Sequence, residues 1–193
     1  MKSLKHLLLA IALAVTAKAD PIMFTYTGHG SGTLDGNAFG DTAFTITAWG
    51  DTANRTDNGS AYAIIHDSAT IDLGGNVYDF ITGTRTFYNH TNNTPGFSRA
   101  SGADLYNGPF GQSSLLGWDM LSSIGPVSGT TSLLQWANNG GINTSGGILF
   151  FNDNYTTSGT FTATVGVPDS GSTLLLIGAA LLCLAAARRR SAI

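Results

Sequence analysis

The sequence predicts an all-β body, an antiparallel β-sandwich of jelly-roll type, with an uncharged apolar run at each end of the chain. Three observations lead there. Apolar and polar residues alternate with a period of two through residues 22–166, as strands with one buried face require. Stretches rich in Gly, Asn, Ser and Asp separate the alternating runs, which is the chemistry of tight turns. Basic residues cluster outside this region, next to the two apolar runs.

The first element is "MKSLKHLLLAIALAVTAKAD". Lys2 and Lys5 form a positive start, Leu7 to Val15 an apolar run, and Ala17-Lys18-Ala19 a small-x-small site. This pattern predicts a secretory signal peptide over residues 1–19, too short to span a bilayer as a helix. Cleavage after Ala19 would make Asp20 the first residue of the mature chain.

The strands follow. In "IMFTYT", Ile22, Phe24 and Tyr26 alternate with Met23, Thr25 and Thr27. In "AFTITAW", Phe44, Ile46 and Ala48 alternate with Thr45, Thr47 and Trp49. "SATIDLGGNVYDFI" gives two runs around Gly74-Gly75, a hairpin signal. "RTFYNH", "TTSLLQWA", "GILFFN" and "GTFTATVG" supply further strands. "GHGSG", "DTANRTDNGS", "NTPGFSRASG" and "NNGGINTSGG" read as loops, and "SSLLGWDML" as a short helix weakened by Gly117. The sandwich domain therefore covers residues 20–166.

The last element is "VPDSGSTLLLIGAALLCLAAARRRSAI". Ser172 to Ala187 carries no charge and, as a helix, would span about 24 Å, near the lower limit for crossing a bilayer. Arg188, Arg189 and Arg190 follow at once and predict a cytoplasmic C-terminus, because basic flanks stay inside. Together with the signal peptide they place the body on the outer side of the membrane. Pro168 and Gly171 keep the junction out of regular structure.

This order of short motif, short apolar helix, arginine cluster and chain end resembles the PEP-CTERM class of bacterial sorting domains. Val167, Pro168, Asp169, Ser170 and Gly171 match its VPDSG-CTERM variant in full, with Asp169 where the commoner Pro-Glu-Pro form has Glu. The resemblance covers residues 167–193 and implies recognition by an exosortase, a transpeptidase-like membrane enzyme that carries the catalytic residues itself.

Charge and composition narrow the role of the body. All acids are Asp, and between Asp20 and Gly166 eleven of them face Arg55, Arg85 and Arg99, a net of −8. That balance excludes nucleic-acid binding by phosphate neutralisation. The single cysteine, Cys183, lies in the C-terminal run, so the body has no disulfide and no thiol nucleophile. No G-x-S-x-G elbow occurs. No Asp pair stands out for carboxylate hydrolysis, and the sequence calls for no cofactor. Two weak ligand signals remain. Asp51, Asn54, Asp57 and Asn58 share one loop with oxygen ligands suited to Ca²⁺, though not at EF-hand spacing. Trp118 and Trp136 neighbour Asp and Asn in loops, as an exposed sugar-binding face would.

The leading expectation is a non-enzymatic, exported structural or interaction protein, handled by the secretion machinery and an exosortase and held in the inner membrane before reaching the cell surface or extracellular matrix. The alternative is a carbohydrate-binding module in an exopolysaccharide layer, assisted by Ca²⁺; an Asp-based hydrolase ranks third.

Overall fold

The computed structural model describes residues 20–153 and 155–166. Twelve strands occur among them: β1 (Pro21–Leu34), β2 (Asn37–Asp51), β3 (Thr56–Asp57), β4 (Ala61–Leu73), β5 (Asn76–Asp79), β6 (Thr84–Asn89), β7 (Thr94–Arg99), β8 (Asp104–Asn107), β9 (Ile124–Leu133), β10 (Ile142–Thr144), β11 (Gly147–Phe151) and β12 (Tyr155–Val165). Every pairing between them is antiparallel.

Eight of these strands close a barrel in the order β1-β2-β4-β6-β7-β8-β9-β12 and back to β1. Each barrel strand pairs with its successor along the chain, so the topology is up-and-down. The expected jelly-roll sandwich is thereby corrected to a closed barrel. The deciding contact is β12 returning to β1, from Ile22↔Val165 to Thr27↔Thr160. Both architectures bury one face of each strand, so period-2 alternation is the same in either. Closure is a long-range property that the alternation does not encode, and it removes the exposed edges that a sandwich must protect.

The barrel interior is packed with side chains, as a closed eight-stranded sheet requires. Ile22, Phe24 and Tyr26 of β1 are wholly buried, with Ile46 of β2, Ile71 of β4, Phe97 of β7 and Phe161 of β12 around them. The Tyr26 ring sits 5.0 Å from Phe161, 5.3 Å from Tyr106 and 5.9 Å from Phe97. Two of the expected loops are mainly strand instead, and the expected helix is a single turn. "GHGSG" lies inside β1, because a Cβ at Gly30 would stand 2.6 Å from the Phe151 ring and one at Gly32 only 1.9 Å from the Phe150 carbonyl oxygen. These glycines fill inward positions where the neighbouring strand β11 leaves no room. Thr94 to Arg99 of "NTPGFSRASG" form β7, buried along its whole length. "SSLLGWDML" contributes only a 3₁₀ turn at Ser113–Leu115.

The two ends of the barrel differ. At one end, which we call proximal, β1 begins and β12 stops. The loop 108–123 closes this end, with Leu115, Trp118 and Met120 turned into the core. At the distal end the hairpin tips Asp35-Gly36 and Gly74-Gly75 meet the β10–β11 turn. Both tips are two-residue turns with positive φ at each residue, 49° and 78° for the first and 61° and 90° for the second. That geometry matches strand twist and favours Asp-Gly and Gly-Gly. The bridge Phe80↔Thr144 and the bond from Ser145 N–H to Asp79 O (2.9 Å) tie β5 to β10. The distal parts of β1, β2, β4, β5, β10 and β11 thus surround a second, smaller opening.

Candidate functional site

The proximal end holds the only expected processing residue among those described. Asp20 precedes β1, and its carbonyl accepts hydrogen bonds from Thr52 N–H (3.1 Å) and Thr52 Oγ1 (3.0 Å). Gly166 N–H donates to Pro21 O at 2.8 Å, and Val165 N–H to Ser123 Oγ at 2.9 Å. The start of β1 and the end of β12 are therefore side by side, and one residue separates β12 from position 167. Ala17, Ala19, the motif Val167 to Gly171, the helix expected over residues 172–187 and Arg188 to Arg190 lie outside the described residues. Among the described residues no helix is long and apolar enough to cross a membrane.

The loop proposed for Ca²⁺ spends its oxygens on its own backbone. Asp51 Oδ1 accepts from Ala53 N–H (2.7 Å), Asp57 Oδ1 from Gly59 N–H (2.8 Å), and Asn58 Oδ1 from Ala61 N–H (2.8 Å). Asn54 is exposed and joins none of them. Arg55 turns away, lying 4.4 Å over the Tyr62 ring and donating to Asp119 O at 3.0 Å. Among the described residues no group of three or more His, Cys, Asp or Glu could hold a metal ion. Asp51, Asp57 and Asn58 form Asx turns, and the four side chains make no converging shell.

Neither tryptophan is a surface platform, which corrects the expectation for a sugar face there. Trp136 is wholly buried, donates from Nε1 to Leu105 O at 2.7 Å, and packs 4.8 Å from the Phe151 ring. Trp118 is 5% exposed, donates to Ser122 O at 2.8 Å, and meets Phe161 and Tyr88 at 5.4 Å each. Amphipathic indoles with a satisfied N–H are good core residues in a small barrel. Their polar sequence neighbours mark the loops they enter from, not their own exposure.

The interior carries one polar cluster that sequence reasoning missed. His66 Nδ1 and Nε2 lie 2.9 Å from Thr84 Oγ1 and Thr86 Oγ1 respectively. The Tyr26 hydroxyl lies 2.9 Å from Thr86 Oγ1 and 3.0 Å from Gly96 O. A bulge between Trp49 and Gly50 in the β2–β4 register turns His66 inward, against Phe97 at 5.5 Å. Burial pushes its imidazole down to about 3. Only the unfolded chain then takes up this proton between the ordinary value of 6.5 and about 3. Stability from this group should be full above pH 6.5 and decline as pH falls towards 3, by on the order of 2–4 kcal/mol given the ring's partly exposed edge. Urea midpoints at pH 7 and pH 4 should show a smaller loss for His66→Asn than for the wild type; equal losses would contradict this.

Among the described residues, two surface clefts are larger than a third of about 320 Å³ over Ala43, Phe44, Thr45 and Asp72. One, of about 630 Å³, runs across β2, β1, β12 and β9 over Gly28, Gly129 and Gly159. Its hydroxyls are partly spent on one another, as in the 2.8 Å contact between Thr27 Oγ1 and Thr160 Oγ1. The other, of about 490 Å³, is the distal opening, lined by Asp35, Asn37, Phe39, Asn76, Tyr78 and Gly146 among others. Neither cleft holds a pair of carboxylates. A recurring pattern marks the distal tips in the sequence, Leu34-Asp35-Gly36-Asn37 and Leu73-Gly74-Gly75-Asn76.

The described residues define a small, closed up-and-down barrel whose last strand runs directly into the C-terminal tail. Residues 166–191 of that tail match the family described as the VPDSG-CTERM motif, which makes it a C-terminal sorting signal of PEP-CTERM type. Such a signal marks an exported, surface-associated protein. No curated protein and no solved structure matches the chain.

Proposed function

We propose that this chain is an exported surface protein of structural or interaction type, with the barrel as its outward module and an exosortase as the reader of Val167 to Gly171. The observation that carries this reading is the match over residues 166–191. The placement of the barrel supports it. β1 starts one residue after the expected signal-peptide cut, and β12 ends two residues before the motif, so the folded unit fills the interval between the two processing points. On this reading Ser172 to Ala187 hold the body in the inner membrane for a time. Arg188 to Arg190 fix the tail inside, and the proximal end faces the membrane.

The same reading makes the export signal testable. The protein purified from its native host should begin at Asp20 by N-terminal sequencing, with the body reachable by protease added outside the inner membrane. A chain still beginning at Met1, or a body shielded in the cytoplasm, would contradict export.

A further inference from the structure

We propose that the distal opening of the barrel is a binding site for a neutral saccharide. Four features of this opening lead there, and none depends on the tail.

The first is form. The cleft of about 490 Å³ is framed by two hairpin tips and a third turn, all held by backbone hydrogen bonds. Its size falls within the range of small-molecule sites, which recur at barrel mouths. The second is an aromatic floor. Tyr78 and Phe39 are both partly exposed and packed on the core from above. The Tyr78 ring lies on the backbone of Gly146, where a Cβ would stand 2.4 Å from it. Phe39 is fixed edge-on against Phe151 at 5.4 Å. Rings held this way offer a flat apolar face to the C–H side of a pyranose.

The third feature is unspent hydrogen-bonding capacity. The Tyr78 hydroxyl, the Asn76 amide and the Asp35 carboxylate have no protein hydrogen bond among the described residues, and Asn37 has one long contact, 3.4 Å to Asp35 O. Together they present donors and acceptors, which vicinal hydroxyls need. In the groove on the barrel flank, Thr27 Oγ1 and Thr160 Oγ1 bond each other, and the lining carries no amide or carboxylate side chain. The fourth feature is charge. Asp35 is the one charged residue lining the cleft, on a body that is net −8. A single carboxylate is too few for a Ca²⁺ shell, and a negative mouth repels uronic acids. An uncharged sugar fits both constraints.

The test uses the full chain in detergent micelles with four neutral probes, cellohexaose, maltohexaose, xylohexaose and mannohexaose, and hexagalacturonate as the charged control. Calorimetry and saturation-transfer NMR should show at least one neutral probe binding, and hexagalacturonate at least tenfold weaker. Asn76→Ala, at an exposed side chain without a partner, should weaken binding about tenfold with the fold unchanged by circular dichroism. Tyr78→Phe should weaken it several-fold while keeping the ring. Ser128→Ala, in the flank groove, should leave binding unchanged. Failure of all four neutral probes to bind overturns the proposal. So does equal binding by Asn76→Ala, or a preference for hexagalacturonate.

Discussion

Replacing Pro168 and Asp169 together with alanine should leave the protein in the inner membrane at its unprocessed C-terminal mass. The physical basis is a separation of roles along the tail. On the proposed reading, insertion depends on the apolar run from Ser172 to Ala187, and orientation on Arg188 to Arg190. Neither depends on the two altered residues, so topology should survive while recognition fails. The barrel sharpens this expectation. Gly166 N–H is bonded to Pro21 O at 2.8 Å, so the chain is still held by the barrel one residue before the motif. The enzyme proposed to read the motif must work against the proximal end of the fold, and changes at positions 168 and 169 alter what it meets there. Deleting the three arginines should fail differently. A sixteen-residue run of mild hydrophobicity is a marginal stop, so the tail should slip through and the body leave with its helix attached. Fractionation with C-terminal mass separates the two outcomes. A motif variant identical to wild type in mass and location would make the tail an ordinary anchor.

Trp136→Ala should destabilise the barrel by on the order of 3–5 kcal/mol, the usual cost of deleting a large aromatic from a core. Trp136 is wholly buried, rests on Phe151, and donates to Leu105 O alongside Leu134 N–H. Its neighbourhood is densely hydrogen-bonded. Arg99 reaches into the adjoining loop and donates to the carbonyls of Gln135, Trp136, Asn138 and Gly141. The cavity left by the indole therefore has little freedom to collapse. Against a total stability of about 5–15 kcal/mol, such a loss is a large share of the margin. Trp136→Phe keeps most of the packing and removes one of two hydrogen bonds to Leu105 O, which still accepts from Leu134 N–H at 3.0 Å, and should cost about 0.5–1.5 kcal/mol. Urea titration followed by far-UV circular dichroism measures both. Unchanged midpoints would mean that the side chain is a surface platform after all.

The strands were legible in the sequence wherever one face alternates cleanly. Ile22, Phe24 and Tyr26, and Phe44, Ile46 and Ala48, are buried as the alternation required. The Gly74-Gly75 hairpin formed where expected, with Leu73 opposite Asn76. Failures came where composition imitates a loop. Gly28, Gly30 and Gly32 look like a turn, but they are small because Phe44, Phe151 and the Phe150 backbone occupy the space. The tryptophans misled for a related reason, since a polar neighbour in sequence says nothing of where an indole points. Closure into a barrel was illegible because it depends on β12 meeting β1 across more than a hundred residues. The distal cleft was illegible likewise: Asn76 and Tyr78 lie on β5, Asp35 at another tip and Gly146 on a third turn, and the β5–β10 contact together with the β1–β11 pairing brings them together. The sorting motif was legible because it rests on contiguous residues in a fixed order, and residues 166–191 match its family.

The central claim is that the C-terminal segment is a sorting signal and not a permanent anchor. Intact-mass measurement of the protein isolated from its native host tests it most directly. The account predicts a surface or extracellular form that begins at Asp20 and lacks Ser172 to Ile193, ending within or near Val167 to Gly171. A mature protein that retains Arg188 to Arg190 at its C-terminus in every fraction would contradict it.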